Sequence, residues 1–421
     1  MDYLAAESAR IGLLSRYIRP YANKGRKWER TIASLPEAGD IFRRTFGIRS
    51  LPEGLHPGYV QEAAVSLDIA MALADRFPVS SGWVRRFREA LMHARTKAIA
   101  STGAKLLHDE YAVVASWACA EPAFRQMRTK SGLCILNYPI AHHRFTRKLL
   151  LEEAEREPDF AGTLNAHDWR KWLEDRFDVE IALADHILVG SSFVRESFIG
   201  EGIPAEKLEV IPYGADTHLF EPPTKKPNTD IFNALFVGQI GQRKGISYLL
   251  RAYQQFQGPK TSLTLVGKIQ GDGAAFHPYR EIFRHIDHVP RPYLRGIYQQ
   301  ADVFVFPTLA EGMPLVVLEA MASGLPVITT PNGPGDIVRD GVDGFVVPIR
   351  DPKIIVEKLE CLRANPHLRA EMGANARRRA LEFSWEVYQN RIRAMLQSWM
   401  QTVSEAEASE LAIYPPNRIS R

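Results

Sequence analysis

Two glutamates stand eight residues apart where the sequence pattern predicts a buried strand, a short loop and a helix. Glu311 lies in the loop, and Glu319 lies about one and a half turns into a helix that starts near Pro314. A helix N-terminus presents unpaired N–H groups and a positive dipole end, so it can hold a diphosphate. Gly312 would let an anion approach the backbone closely. The pattern therefore predicts a site in which Glu319 accepts hydrogen bonds from a ribose diol and Glu311 faces the group attached to the diphosphate.

The same pair also fits a purely structural role, in which Glu311 is a capping acid and Glu319 an exposed helical residue. The two residues alone leave both interpretations open. Their surroundings favour the first. The segment Asp302–Pro348 resembles the two-glutamate signature of the retaining glycosyltransferases of family 4, which have the GT-B fold. The resemblance extends to Ala182–Phe198, Ile211–Phe220, Phe236–Tyr253 (FVGQIGQRKGISYLLRAY) and Leu263–Lys268, in the family's order.

This resemblance implies roles for individual residues. Glu319 would bind the donor ribose, and Glu311 would contact sugar hydroxyls near the reacting carbon. Arg243 and Lys244 would stabilise the departing phosphates as the glycosidic bond breaks. The family often has arginine directly after the Val-Gly pair of this loop, whereas this chain has Gln239, so the phosphate clamp would rest on Arg243 and Lys244. The remaining donor-binding positions are Gly238, Gln239, Lys268, Gly312, Met313, Pro314 and Leu315.

The first half of the chain is expected to supply the acceptor site and part of the catalytic wall. The predicted strand Leu133–Tyr138 is followed by PIAHHRF, at the end of the strand where α/β sheets place ligands. His142 or His143 then falls where the family often has a histidine beside the sugar, and a core or surface histidine is the alternative. Arg144 is a candidate contact for the acceptor or a phosphate. His108, at the end of a predicted strand Lys105–His108, is a further candidate for the cleft.

These residues need two parallel sheets to position them, and the sequence alternates short apolar runs with amphipathic stretches, as βα units do. We expect two facing Rossmann-like domains at residues 1–205 and 206–384, and a helix at 385–403 that crosses back to the first domain. Predicted strands in the second half are Ala234–Val237, Ser262–Val266, Ile286–Val289, Val303–Phe306, Pro326–Thr329 and Gly344–Val347. In the first half they are Gly12–Tyr17, Lys105–His108, Leu133–Tyr138 and His186–Val189.

Composition excludes several other classes of protein. The chain has 421 residues, 45% of them hydrophobic, a net charge of +4 and three widely spaced cysteines. This charge is too small to indicate nucleic-acid binding, and the cysteines form neither a disulfide framework nor a zinc cluster. No Asp-x-Asp sequence is present, so we expect a reaction that needs no metal and no other cofactor. The chain has no predicted membrane span or secretory signal, and a cytoplasmic location follows as an expectation.

Basic residues are concentrated near the N-terminus and are interleaved with Tyr17, Tyr21 and Trp28. Such a region can lie on an anionic membrane surface, can bind an anionic acceptor, or can be a solvated face. The basic residues are Arg16, Arg19, Lys24, Arg26, Lys27, Arg30, Arg43 and Arg44.

Family members usually open with a strand and a glycine-rich loop, whereas Asp2–Arg10 here resembles the helix that follows that loop. Either the native chain starts upstream of Met1, or the N-terminal domain is atypical. Two functions therefore stand side by side. One is sugar transfer from a nucleotide-sugar donor to an unidentified acceptor, and the other is binding of such ligands by a catalytically weakened GT-B protein. A glycan phosphorylase or an epimerase of the same fold is a further alternative, and the absence of a lysine motif for a pyridoxal cofactor argues against the phosphorylase.

Overall fold

The computed structural model describes residues 1–36, 39, 42, 49–74, 82–164, 170–224 and 230–413. The chain divides into two compact units, of which one contains Met1–Leu106 with Glu386–Arg421 and the other contains Leu107–Trp385. The domain boundary expected at residue 205 lies inside the second unit, just before a strand at Leu208–Val210. The assignment of function to domains at that boundary stays a prediction.

The N-terminal unit is mostly helical around a small sheet. The strand at Tyr17–Arg19 pairs in parallel with the strand at Val60–Glu62 through Tyr17↔Val60. Arg393 of the last helix donates to the buried carboxylate of Glu7 at 2.6 Å. The elements of this unit are α1 (Asp2–Arg10), β1 (Tyr17–Arg19), α2 (Lys27–Ser34), β2 (Val60–Glu62), α3 (Val65–Ala74) and α4 (Gly82–Lys105).

Two strand predictions in this region are wrong. Residues 11–16 form a turn and loop instead of a strand, because the chain leaves α1 through Gly12, whose φ of 75° ends the helix. Lys105 is the last residue of α4, and residues 106–108 form the turn and loop that follow the helix, so no strand begins there. The strand of this region comes later, at Ala112–Ser116. The helix predicted at Asp2–Arg10 is confirmed.

The second unit begins with a four-stranded parallel sheet in the order β3-β4-β5-β6. The strands predicted at Leu133–Tyr138 and His186–Val189 are confirmed as β4 and β5. Their side chains pack with Phe124 and Phe198 into one apolar core. The elements are β3 (Ala112–Ser116), α5 (Glu121–Arg128), β4 (Leu133–Asn137), α6 (His143–Arg156), α7 (Lys171–Leu183), β5 (His186–Val189), α8 (Ser192–Ile199) and β6 (Leu208–Val210).

A six-stranded parallel sheet follows, in the order β12-β11-β10-β7-β8-β9. The central strands at Phe232–Val237, Val303–Phe306 and Val327–Thr329 are almost continuous buried apolar runs, because helices cover both faces of such a sheet. The strands are β7 (Phe232–Val237), β8 (Thr261–Val266), β9 (Arg284–Ile286), β10 (Val303–Phe306), β11 (Val327–Thr329) and β12 (Gly344–Val346). The helices are α9 (Ile246–Phe256), α10 (Arg291–Gln300), α11 (Leu315–Ala322), α12 (Pro352–Ala364) and α13 (Pro366–Leu381), and α14 (Trp385–Ile413) belongs to the N-terminal unit from Glu386 onwards.

Strand order in the larger sheet creates a place for a ligand. β7 and β10 are neighbours, yet the chain continues from β7 to β8 on one side and from β10 to β11 on the other. Ligands of open α/β sheets bind at such a switch point, beyond the carboxyl ends of the two strands. The loops after β7 and β10 carry Arg243, Lys244 and Glu311.

Most predictions for this half are confirmed, with two corrections. β9 lies at Arg284–Ile286 instead of Ile286–Val289. A sequence pattern that also suggests a helix at Pro334–Arg339 corresponds to a short 3-10 turn at Pro334–Asp336, because Gly333 and Pro334 begin a turn there. None of the helices in the described residues combines the length and the apolar character that a membrane span requires.

Candidate functional site

Arg243 and Lys244 lie on a tight turn that the neighbouring loop shapes. A single 3-10 turn spans Gln242–Lys244, and Gly245 follows in the left-handed region with φ of 69°. A β-carbon on Gly245 would lie 1.9 Å from the carbonyl oxygen of Pro307, so only glycine allows this approach. The carbonyl oxygen of Arg243 accepts from the Leu309 amide at 2.9 Å. The loops after β7 and β10 are therefore joined backbone to backbone.

Glu311 meets both cations of this turn. The guanidinium of Arg243 and the ammonium of Lys244 each donate to the same carboxylate oxygen, Oε1. Arg243 also donates to the Ala310 carbonyl oxygen at 2.8 Å. From the other side, the Glu311 amide donates to the Asn332 carbonyl oxygen at 3.1 Å. Residues that lie 67 and 68 positions apart in the chain thus form one cluster at the switch point.

Burial and the neighbouring charges shift the pKa values of Glu311 and Lys244 in opposite directions. Burial raises the pKa of Glu311, but Lys244 and Arg243 outweigh it and hold that pKa below its ordinary value. Burial lowers the pKa of Lys244 to about 8, against the opposing effect of Glu311. The Lys244 ammonium also lies 5.1 Å from the centre of the Phe306 ring. At pH 7 the cluster carries two cations and one anion, a net positive charge that suits a polyanionic ligand.

Gly312 lies against the first sheet's loops. A β-carbon there would lie 1.7 Å from the carbonyl oxygen of Pro139. Ser191, at the N-terminus of α8, donates its hydroxyl to the Gly312 carbonyl oxygen at 2.5 Å. The sulfur of Met313 accepts from the Tyr213 amide at 2.9 Å. Helix α11 begins directly after Pro314, as predicted, with Leu315 in its first turn.

Glu319 lies on α11 as expected, and its side chain is buried. Its Oε1 accepts from Arg291 and its Oε2 from the Tyr298 hydroxyl, each at 3.1 Å. Burial raises the pKa of Glu319 above its ordinary value, although Arg291 opposes this. A carboxylate has about four lone-pair positions, so two of them stay available for a diol.

The remaining donor-side positions lie on two adjacent loops. Gly238 has φ of 145° and Gly267 has φ of 131°. A β-carbon on Gly267 would lie 2.0 Å from the Gly238 carbonyl oxygen, which is why these loops can run side by side. Gln239 and Lys268 follow these glycines, and both are exposed at the carboxyl edge of β7 and β8.

The two histidines are both buried, with different neighbours. His142 caps α6, where its Nδ1 accepts from the Arg144 amide at 3.3 Å, and its ring packs edge-on against Phe198. His143 Nε2 lies 3.2 Å from Asp178. Burial lowers the pKa of His142 to about 3 and that of His143 to about 4, so both imidazoles are neutral at pH 7. Within the described residues, neither ring has a hydrogen bond to the Glu311 cluster, and a catalytic role for either stays a prediction.

His108 and Arg144 are the two other candidates from the first half of the chain. The interpretation of His108 is wrong, because no strand ends there. His108 precedes β3, at the amino end of that strand, which is the opposite edge from the one that follows β4. Arg144 is exposed and pairs with Asp178 at 2.7 Å.

Several contacts of the site were not predicted from the sequence. Arg291 and Tyr298 on α10 hold Glu319, and Ser191 holds Gly312. Only the position of α10, directly before the β10 segment, hinted at the first two. Among the described residues, the histidine, cysteine and acidic side chains form no group of three or more that is placed to hold a metal ion.

Residues 220–379 match a family model described as glycosyl transferases group 1. The chain is also similar to the capsular polysaccharide biosynthesis glycosyltransferase CapM of Staphylococcus aureus. The identity is 30% over 233 residues, which are 51% of this chain and 60% of that protein. The chain spans between 48% and 61% of the length of the first three curated relatives it matches.

Solved structures show the same fold. A sucrose-phosphate synthase from Thermosynechococcus elongatus superimposes with a TM-score of 0.62 at 19% identity, covering 96% of this chain and 92% of that one. HepE from Anabaena, solved in complex with UDP, gives a TM-score of 0.57 at 16% identity over 79% of this chain and 95% of that one. The predicted α/β architecture of the GT-B type is confirmed.

Proposed function

We propose that the chain is a glycosyltransferase that moves a sugar from a nucleotide-diphosphate-sugar donor to an acceptor, because residues 220–379 match the model of the glycosyl transferases group 1. One observation carries this proposal. Two cations, Arg243 and Lys244, converge on Glu311 at the switch point of a parallel sheet, beside the N-terminus of α11. A diphosphate needs that density of positive charge, and α/β sheets place ligands there.

The donor is expected to lie along the carboxyl edge of β7 and β10. Glu319 would accept hydrogen bonds from the ribose, and Arg243 and Lys244 would contact the diphosphate together with backbone groups of Gly312 and Met313. Glu311 would then exchange its contact with the cations for one with the sugar hydroxyls. HepE of Anabaena was solved with UDP, so UDP-sugars are the first donors to test.

The chemistry follows from these positions. The bond between the anomeric carbon and the diphosphate oxygen breaks, and its electron pair goes to the diphosphate. Arg243 and Lys244 stabilise the negative charge that develops there, and this stabilisation is stronger in the transition state than in the bound donor. We propose that the configuration is retained, which requires the acceptor oxygen to bond on the face from which the diphosphate leaves. The proton of the acceptor hydroxyl then passes to the departing diphosphate oxygen on that face.

The first sheet's loop is proposed to form the opposite wall. Pro139 contacts Gly312 directly, which brings the segment that leads to His142 and His143 next to the loop of Glu311. A neutral imidazole can accept or donate one hydrogen bond to a sugar hydroxyl without adding charge. The acceptor is a glycan, a glycolipid or a small metabolite.

We propose that the reaction needs no metal, since two cations and a helix N-terminus already offer positive charge to the diphosphate. We also propose a cytoplasmic location, with peripheral membrane contact through the basic N-terminal region as one use of that region. Part of its charge is neutralised within the N-terminal unit, where Arg19 pairs with Asp2 at 3.2 Å and Lys24 and Arg26 pair with Glu62. Arg43 and Arg44 lie outside the described residues.

The decisive experiment measures nucleoside diphosphate release from a panel of sugar nucleotides, with and without candidate acceptors, in the presence and absence of EDTA. Release that depends on an acceptor and survives EDTA supports the proposal. Saturable donor binding without any release favours the alternative of a catalytically weakened binding protein. If EDTA abolishes the release and a divalent cation restores it, only the proposal that the reaction needs no metal is contradicted.

A further inference from the structure

Glu153 is a completely buried carboxylate on α6 whose partners come from the connections of the other sheet. Its Oε1 accepts from the Gln242 amide nitrogen Nε2 and from the Tyr248 hydroxyl, each at 2.7 Å. Its Oε2 accepts from Nε of Arg350 at 2.7 Å. A buried carboxylate is tolerated only when it is paired and hydrogen-bonded, and here three donors meet that need.

Gln242 is the residue directly before the two cations of the donor site. Besides Glu153, its side chain contacts Ser247, where Nε2 donates to Oγ at 2.7 Å and Oε1 accepts from the amide at 3.1 Å. Its own amide donates to Oγ1 of Thr163 at 2.9 Å. Gln242 is itself completely buried. The start of the Arg243–Lys244 turn is therefore held from both sides by hydrogen bonds.

Arg350 reaches Glu153 from an unusual backbone conformation. Its φ is 66°, in the left-handed region that non-glycine residues avoid. The guanidinium also lies 3.4 Å from the Leu149 carbonyl oxygen and 3.8 Å from Glu152, both on α6. Strained backbone persists where the surrounding contacts over-determine it. Three contacts to one helix supply that constraint here.

We propose that Glu153 is a positioning residue of the donor site. It fixes Gln242 and, through it, the orientation in which Arg243 and Lys244 meet the diphosphate. This inference rests on the proposed function of the same site. It assigns to α6 a second role, because the helix carries His143 at its first position and Glu153 near its last turn.

The chain offers a matched control on the same helix. Glu157, at the C-terminal end of α6, is 4% exposed and pairs with Arg251 through two hydrogen bonds of 2.7 and 2.5 Å. Arg251 lies on α9, beyond the turn. Glu153 and Glu157 thus both join α6 to the second sheet through buried carboxylates, but only Glu153 contacts Gln242.

The test compares Glu153→Gln with Glu157→Gln in the full chain. Both variants are expected to unfold at a lower temperature, since each loses a charge partner. We expect Glu153→Gln to lower kcat about tenfold or more with a smaller change in KM, because misplaced cations lose interactions of the transition state. Glu157→Gln should keep kcat within about twofold of the wild type. In a Lys244→Ala background, Glu153→Gln should lower kcat by a much smaller factor than in the wild type. The effects of two substitutions are not additive when one residue acts through the other. An equal loss of kcat in both glutamine variants would overturn the inference.

A second readout does not need turnover. The amides of Lys244 and Gly245 donate to the carbonyl oxygens of Gly241 and Gln242 at 3.0 and 2.8 Å. Their hydrogen exchange should become about tenfold faster in Glu153→Gln and stay unchanged in Glu157→Gln. Unchanged protection in both variants would overturn the positioning role. A wild-type chain that releases no nucleoside diphosphate would instead refute the proposed function, and exchange at these amides would still decide whether Glu153 holds the turn.

Discussion

Pro139 and Gly312 are in backbone contact: a β-carbon on Gly312 would lie 1.7 Å from the Pro139 carbonyl oxygen. Pro139 opens the segment that leads to the two histidines, and Gly312 directly follows Glu311. The absence of a side chain at position 312 therefore sets how closely the two walls of the site approach each other. The hydroxyl of Ser191, which donates to the Gly312 carbonyl oxygen at 2.5 Å, holds the same loop from α8.

Gly312→Ala is expected to lower both stability and turnover. The new methyl group meets backbone instead of a flexible side chain, so the loops must separate, at a cost of about 1–3 kcal/mol in the free energy of unfolding. Gly296→Ala is the control, because a β-carbon there meets no atom within 4 Å and the residue lies inside α10. That change should be neutral or stabilise by about 0.5–1 kcal/mol. Thermal unfolding and nucleoside diphosphate release check both, and a fully active, equally stable Gly312→Ala variant would contradict the contact.

Glu311→Gln should separate donor binding from turnover. Glu311 pairs with Arg243 and Lys244, so it should compete with an anionic ligand for these two cations. Removing its charge should tighten the binding of free UDP about tenfold, whereas sugar transfer should fall at least about 100-fold because the sugar loses its contact. Calorimetric titration with UDP and a release assay measure the two effects. Weaker UDP binding by Glu311→Gln would show that the carboxylate does not oppose the anion.

The sequence predicted the larger sheet well because buried parallel strands are short apolar runs bounded by glycine and proline. Val303–Phe306 is an example, observed as predicted. Similar apolar runs in the first half of the chain led to strand predictions that are wrong. Periodicity cannot distinguish a short buried strand from the end of a buried helix, and the residues up to Lys105 proved to be helical.

Contacts between distant segments lie beyond what one sequence reveals. Local pattern placed Arg243 after a strand and Glu311 in a loop, but only the neighbouring positions of β7 and β10 bring them together. Glu153 is the clearest omission. On an amphipathic helix a glutamate is usually solvated, and nothing nearby in the sequence indicates partners almost 100 and 200 positions away.

Glu319 is expected to recognise the ribose diol of the donor. The wild-type chain should bind UDP more tightly than 2′,3′-dideoxy-UDP by about tenfold, since the buried carboxylate loses the hydrogen bonds that the ribose hydroxyls donate. Glu319→Gln should bind both nucleotides with nearly equal affinity. Tyr298→Phe serves as the comparison, because it keeps the carboxylate and removes the hydroxyl that donates to Glu319 at 3.1 Å and contacts the Val316 carbonyl oxygen at 3.4 Å. The Tyr298→Phe variant should keep part of the preference for UDP over 2′,3′-dideoxy-UDP. A dideoxy nucleotide that binds the wild type as well as UDP would place the ribose elsewhere.

Lys244 is expected to give the proposed reaction an alkaline limit. Burial lowers its pKa to about 8, so its ammonium loses the proton as pH rises through that value, and kcat/KM should fall above about pH 8. The contribution of Lys244 to the free energy of unfolding changes in the opposite direction to kcat/KM: it increases as pH rises. Between about pH 8 and the ordinary lysine pKa of about 10.4, the unfolded chain binds a proton that the folded chain has released, so this group makes unfolding less favourable as pH rises. Lys244→Arg keeps its charge throughout this range. That variant should therefore retain kcat/KM to higher pH than the wild type, relative to its own value at pH 7. An alkaline fall at the same pH in both proteins would assign the limit to another group.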